Sequence, residues 1–189
     1  GQALYQAFTI SDAFGGNVQL VWLDNFTRLF ASPEYRKAIG VTAVFSAAVT
    51  TISLGVALIL AVAVDRTVKA TGPYRVLVIW PYAVAASVAA VIWTFLLDPT
   101  QGILTVALER GLGIAWDPSL RAGDAMVLVV LAAAWKQVAY NFVFFAAGLT
   151  AIPRTIVEAA AIDGAGPLRR VRWIVLPLLS PTLFVLLTV

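Results

Sequence analysis

Residues 38–64 read AIGVTAVFSAAVTTISLGVALILAVAV, which is 27 residues from Ala38 to Val64 without one charged side chain. A hydrocarbon core about 30 Å thick is crossed by about 20 apolar residues of helix, so this run is long enough to span a bilayer. Residues 76–97 give a second uncharged run, of 22. Residues 125–152 give a third, of 28, interrupted only by Lys136, and residues 173–189 add 17 uncharged positions. A backbone in lipid must satisfy its own hydrogen bonds, and a helix does so within one segment. The four stretches therefore predict an all-α, polytopic membrane protein, with residues 1–189 as one transmembrane domain. Pro177 and Pro181 are expected to bend the last span, since each removes a backbone donor.

Composition excludes most other classes. The chain is 61% hydrophobic and 12% charged, where soluble domains have roughly 45–50% and 25%. It contains neither Cys nor His, so disulfides, Cys/His metal sites and histidine-dependent nucleophiles are absent. A net charge of +3 in so apolar a chain does not suggest nucleic acid. No carboxylate falls inside a span, which disfavours a carboxylate proton relay or an intramembrane hydrolase.

Basic residues concentrate on the cytoplasmic side of membrane proteins. Residues 65–75 carry Arg66, Lys69 and Arg75, and residues 154–172 carry Arg154, Arg169, Arg170 and Arg172; both loops are read as cytoplasmic. Residues 1–37 and 98–124 are poorer in basic residues, with net charges of 0 and −2, and are read as extracytoplasmic. The first residue is Gly1, and residues 1–37 hold no signal-peptide pattern or spanning run. The chain is accordingly expected to be an internal piece of a longer membrane protein.

Local signals mark the segment ends. Ser32-Pro33-Glu34 has the order of an N-cap, a first-turn proline and a first-turn acid. Residues 20–30 mix aromatics with charge in the manner of an interfacial segment. Asp98-Pro99-Thr100-Gln101-Gly102 is a turn cluster, followed by a short predicted helix over 103–110 that Gly111 would stop. Trp80, Trp93 and Trp173 are expected at the headgroup zone.

The third predicted span carries Lys136 near its middle, where a charge costs about 2.5–3.5 kcal/mol on insertion scales and seldom faces lipid. Lys136, Gln137, Tyr140 and Asn141 share one helical face. Such a stripe is either interhelical glue or the wall of a translocation pathway for a polar, anionic solute.

The loop 154–172 is the most specific stretch of the chain. Thr155 and Glu158 form a T-x-x-E capping pattern, Gly164 is a helix stop and Gly166-Pro167 a turn, so a helix of about two turns is predicted. Glu158-Ala159-Ala160, then Gly164, then Ile174, Leu176 and Pro177 match every fixed position of the EAA loop. The sequence resembles binding-protein-dependent ABC transporter permeases of the MetI-like class. Trp22-Leu23-Asp24-Asn25-Phe26, Pro81-Tyr82-Ala83-Val84 and Trp135-Lys136-Gln137 through Tyr140-Asn141-Phe142 extend the resemblance over most of the chain. They are similar to the sugar-permease branch that includes maltose and glycerol-phosphate importers.

The resemblance implies a multi-pass subunit of a bacterial inner membrane with six core spans, of which the first and sixth would be lacking here. It implies three kinds of partner beyond the bilayer, namely a second homologous permease, two ATPase subunits that bind ATP and Mg, and an extracytoplasmic solute-binding protein. No cofactor is expected in this chain, which has no phosphate-binding G-x-x-x-x-G-K-[ST] loop, and the chain itself is not expected to be an enzyme. Glu158, Ala159, Ala160, Asp163 and Gly164 would form the coupling surface for the ATPase. Tyr82, Ala86, Lys136, Gln137 and Tyr140 align with solute contacts of the maltose relative, and the stripe adds Asn141. Lys136 and Gln137 replace a leucine and a glycine there. An ammonium in a cavity is a strong partner for phosphate oxygens, so sn-glycerol-3-phosphate is the expected solute, a disaccharide such as trehalose or maltose the alternative, and a non-transporting scaffold the reading from another class.

Overall fold

A computed structural model describes residues 2–11, 18–67 and 71–188. Two compact units divide the chain, Gly1–Ser46 and Ala47–Val189. In the first, helix α1 (Gln2–Ala7) precedes an antiparallel ribbon of β1 (Thr9–Ser11) and β2 (Val18–Leu20), with Ile10 opposite Gln19. This small ribbon is a minor addition to an otherwise helical chain. Its strands are too short to carry a hydropathy pattern. Helix α2 (Asp24–Ala31) is tied to it by Asn25, whose Nδ2 donates to the carbonyls of Ala7 at 3.0 Å and Thr9 at 3.2 Å. The Phe8 and Phe26 rings pack 5.6 Å apart. Trp22, Leu23 and Phe30 stay exposed, which suits an interfacial segment.

Helix α3 (Pro33–Thr67) contains the first apolar run and starts where its cap predicts. The Tyr35 amide donates to Ser32 Oγ at 3.3 Å, and the same hydroxyl donates to Glu34 Oε2 at 2.6 Å. Positions 68–70, including the Lys69 counted above as a cytoplasmic charge, lie outside the described residues.

The second predicted span is two helices rather than one. α4 (Thr71–Ala83) ends in a break at Val84–Ala85, and α5 (Ala86–Leu96) follows. Pro81 near the end of α4 cannot donate to the carbonyl one turn back, which weakens that turn. α5 opens with no side-chain cap.

Between α5 and α7 the expected turn is present. Asp98 Oδ1 accepts from the Thr100 amide at 2.8 Å, the Thr100 hydroxyl at 2.7 Å and the Gln101 amide at 2.9 Å. These bonds hold the Asp98 carboxyl below its usual range, the Thr100 hydroxyl contributing most. Helix α6 (Ile103–Leu112) runs past Gly111 and stops instead at Gly113, whose left-handed φ of 66° returns its amide to the Glu109 carbonyl. Gly111 sits in ordinary helical conformation, and the residue able to reverse the chain is the later glycine. Trp116 is buried and its Nε1 donates to the Leu97 carbonyl at 2.9 Å, fastening the loop to the end of α5.

Helix α7 (Ala122–Thr150) is the third span and packs against α4 and α5. Helix α8 (Arg154–Ile162) follows, then α9 (Pro167–Arg170), a π-helical turn (Val171–Val175), α10 (Leu176–Leu178) and α11 (Ser180–Thr188). The direction from Pro167–Leu178 to Ser180–Thr188 changes by 61°, the bend expected from Pro177 and Pro181. The wide turn just before Pro177 and the break just before Pro181 absorb the two missing donors. α11 returns to pack on α7.

Ala57, Ala61, Phe142, Phe145, Val175, Leu179 and Leu186 form the buried cluster of the second unit. Elsewhere large apolar side chains face outward, among them Ile59, Val91, Phe95, Val143 and Phe184. α3 and α7 are long and apolar enough to cross a membrane, and a bilayer is the medium that accommodates such a surface.

Candidate functional site

The break at Val84–Ala85 faces the middle of α7. Tyr82 before it and Ala86 after it border a cavity of about 550 Å³, with Ala89 and Ala90 on α5 and Val129, Ala132, Ala133, Lys136, Gln137 and Tyr140 on α7. The α7 positions recur at intervals of three and four, one helical face. Alanines on both facing helices leave the space open. Lys136 lies equally far from Ala122 and Thr150, the ends of α7, which puts its Cα at the centre of a helix long and apolar enough to cross a bilayer. Among the described residues it has no ion-pair or hydrogen-bond partner.

Five of the six residues expected on the pathway thus line one cavity. The sixth does not. Asn141 is 1% exposed and its Nδ2 donates across to Ser53 Oγ of α3 at 3.1 Å, while Ser53 donates to the Thr50 carbonyl at 3.3 Å. One position beyond Tyr140 is a further 100° around the helix, enough to turn Asn141 from the cavity to α3. Its Oδ1 is buried without a hydrogen-bond partner among the described residues. The stripe therefore divides between cavity wall and interhelical glue.

The cavity is flanked by aromatics. The Tyr82 and Tyr140 rings lie 6.0 Å apart at 31°, and Tyr140 packs 4.8 Å from Phe144. Trp80 and Trp93 each lie 6.1 Å from the Trp135 ring in edge contacts. Both rings thus gather on Trp135 of α7, although Trp80 stays 53% exposed. Sequence reasoning missed this cluster and the alanine face beside it; the i, i+3, i+4 recurrence of Ala86, Ala89 and Ala90 was its only signal.

The second set of expected residues surrounds α8. Its predicted T-x-x-E box does not form: Pro153 occupies the cap position and no side chain caps the helix. The stop is as expected. Gly164 has φ 78°, its amide donates to the Ala161 carbonyl at 3.1 Å, and the Ala165 amide reaches the Ala160 carbonyl at 2.9 Å. That pair of bonds is a complete Schellman closure. Glu158, Ala159, Asp163 and Gly164 are exposed and Ala160 half-buried, so the five residues present a small, rigid, solvent-facing surface.

The family model for the binding-protein-dependent transport system inner membrane component matches residues 53–189. The chain belongs to that family. It is 52% identical over 188 residues to the sn-glycerol-3-phosphate transport system permease protein UgpA of Brucella abortus, covering 100% of this chain and 64% of that protein. The proteins of the same name from Agrobacterium fabrum and Yersinia pseudotuberculosis are 50% identical over 188 and 49% over 189 residues, each with 100% of this chain and 64% of the relative covered. The chain thus spans 64% of the length of these relatives.

Two solved structures share the fold. A bacterial ABC transporter involved in import of the acidic polysaccharide alginate superposes with a TM-score of 0.73 at 21% identity, over 88% of this chain and 59% of that one. The alginate transporter in complex with its pentasaccharide-bound periplasmic protein gives 0.74, also at 21% identity, over 88% and 58%. Membership in the family makes this an inner-membrane permease domain, and its all-α architecture agrees.

Proposed function

We propose that this permease forms half of the translocation pathway of an ATP-driven importer and that the solute is sn-glycerol-3-phosphate. The observation that carries the reading is Lys136, a cation without a partner among the described residues, at the centre of α7 and facing a cavity between spans. A phosphate entering that cavity meets an ammonium, a partner for a charge-assisted hydrogen bond. Gln137, Tyr82 and Tyr140 supply the hydrogen-bonding groups for glycerol hydroxyls. The names of the relatives support the same solute.

In the assembled transporter a second homologous permease completes the cavity, a solute-binding protein delivers from outside, and two ATPase subunits bind ATP and Mg. Glu158 on α8 docks the ATPase. α8 follows α7 after only Ala151, Ile152 and Pro153, so movement of the docked helix passes directly into the span that bears Lys136.

The test is uptake by the assembled transporter in proteoliposomes, with sn-glycerol-3-phosphate and maltose offered in parallel. The expected result is uptake of the phosphate ester and not the disaccharide. Lys136→Met should reduce it by about 10-fold to 100-fold, the loss of one hydrogen-bonded charge, with ATPase subunits still bound. Transport of maltose but not of the ester would overturn the choice of solute.

A further inference from the structure

A second cavity, of about 520 Å³, opens where α3, α7, α8 and α9 meet. Val62 of α3 and Leu149 of α7 give it apolar walls, while Arg154 and Glu158 of α8 and Arg170 of α9 bring charge to it. Val62 is near the end of α3 and Leu149 near the end of α7, so the cavity lies at the membrane end that the basic loops mark. It is separate from the midplane cavity and shares no residue with it.

Arg170 is the unusual member. Its Nε is enclosed and has no hydrogen-bond partner among the described residues. A guanidinium cannot shed its proton to escape that cost, and a buried charged donor left unpaired is among the dearer defects a fold can carry. Glu158 borders the same cavity, yet neither arginine is ion-paired among the described residues. Two permanent cations therefore share the space with one carboxylate. The edge of a guanidinium presents parallel N–H groups that fit two oxygens of a phosphate.

We infer that this cavity holds the phosphate of an anionic phospholipid, with Arg170 Nε donating to one phosphate oxygen and Arg154 adding the second positive charge. Three features favour a lipid over a free ion. The cavity is at a membrane end, its walls alternate charge with apolar side chains, and its volume exceeds the need of a phosphate alone. Basic pockets between transmembrane helices are known to hold anionic headgroups in this way. The inference rests on family membership and on the cavity, not on the identity of the transported solute.

The experiment is native mass spectrometry of the delipidated, assembled transporter, titrated with phosphatidylglycerol, phosphatidylcholine or inorganic phosphate. Phosphatidylglycerol should be retained at least about 5-fold better than phosphatidylcholine. Arg170→Gln and Arg154→Gln should each abolish that preference, whereas Lys136→Met should keep it. Arg154 is exposed on α8, so its variant reports even where Arg170→Gln does not assemble. Equal retention of the two lipids, an unchanged preference in the Arg154 variant, or displacement of the lipid by inorganic phosphate would each overturn the inference.

Discussion

Gly148 of α7 lies so near Leu179 that a Cβ on it would stand 2.7 Å from the leucine Cδ2 and 2.9 Å from Thr182 Oγ1. Leu179 is the residue between the two arms of the bent span and is 1% exposed. The bend and the glycine are thus one contact, in which α7 admits the corner of its neighbour. Small residues at such crossings let helices approach closely in a membrane. Gly148→Val is expected to destabilise by about 1–3 kcal/mol through overpacking. Gly55→Ala, with nothing within 4 Å of the added carbon, should instead stabilise by about 0.5–1 kcal/mol through helix propensity. Thermal unfolding midpoints in detergent compare the two.

Ser53 and Asn141 make a sharper test of polar glue. Ser53→Ala leaves the buried Asn141 amide without its one bond, an expected cost of about 1–3 kcal/mol. Adding Asn141→Leu removes the orphaned group and should recover most of that loss, because replacing both partners by apolar groups is close to neutral. The same unfolding measurement, arranged as a double-mutant cycle, reads the coupling. Solute preference should not change in either variant, since Asn141 is turned away from the cavity.

Acid should loosen the 98–102 turn. The Asp98 carboxyl is held below the ordinary aspartate value of 3.8 by the Thr100 hydroxyl and the two amides. A lowered folded pKa stabilises fully above the unfolded value, and that contribution is lost as pH falls through the folded one. Hydrogen-exchange protection of the Thr100 and Gln101 amides should therefore hold above pH 3.8 and fall below it. Asp98→Asn should remove the pH dependence.

Gly102 closes the same turn. A Cβ there would meet the Leu96 carbonyl at 2.5 Å and the Asp98 backbone at 2.6 Å, and backbone cannot swing aside as a side chain can. Gly102→Ala should destabilise more than Trp116→Phe, which loses one hydrogen bond to the Leu97 carbonyl, about 1 kcal/mol. Limited proteolysis of the 98–121 loop distinguishes them.

Glu158→Lys reverses the charge on the exposed face of α8 that is proposed to dock the ATPase. The expected outcome is loss of co-purifying ATPase with membrane expression retained. Unchanged ATPase recovery would count against a docking role for this helix.

Much of this architecture is legible in the sequence because it follows from one-dimensional signals. Charge-free length fixed α3 and α7, Ser32-Pro33-Glu34 fixed where α3 starts, and Gly164 where α8 ends. The rest depends on neighbours. Pro81 is visible, but that α4 gives way at Val84–Ala85 depends on what α7 offers across the gap. Thr155 and Glu158 satisfy a capping pattern that Pro153 pre-empts by starting the helix two residues earlier. Asn141 and Gln137 look equivalent on a wheel, and only the presence of Ser53 on α3 separates them. Trp80 and Trp93 fit the rule for interfacial indoles, and their edge contacts with Trp135 could not be read from that rule. For the site, the residue types were readable and their division into wall and glue was not.

The central position of Lys136 has an electrical consequence. A full crossing by one charge is worth about 2.3 kcal/mol per 100 mV, so an anion that has reached the middle of α7 has crossed about half of the potential. With the interior negative, that half-journey is uphill by about 1.2 kcal/mol per charge at 100 mV, roughly a sevenfold loss of occupancy. On the proposed reading, the fixed ammonium offsets this at the depth where it holds the anion. Loading of the cavity should therefore weaken on hyperpolarisation even though the lysine itself never moves.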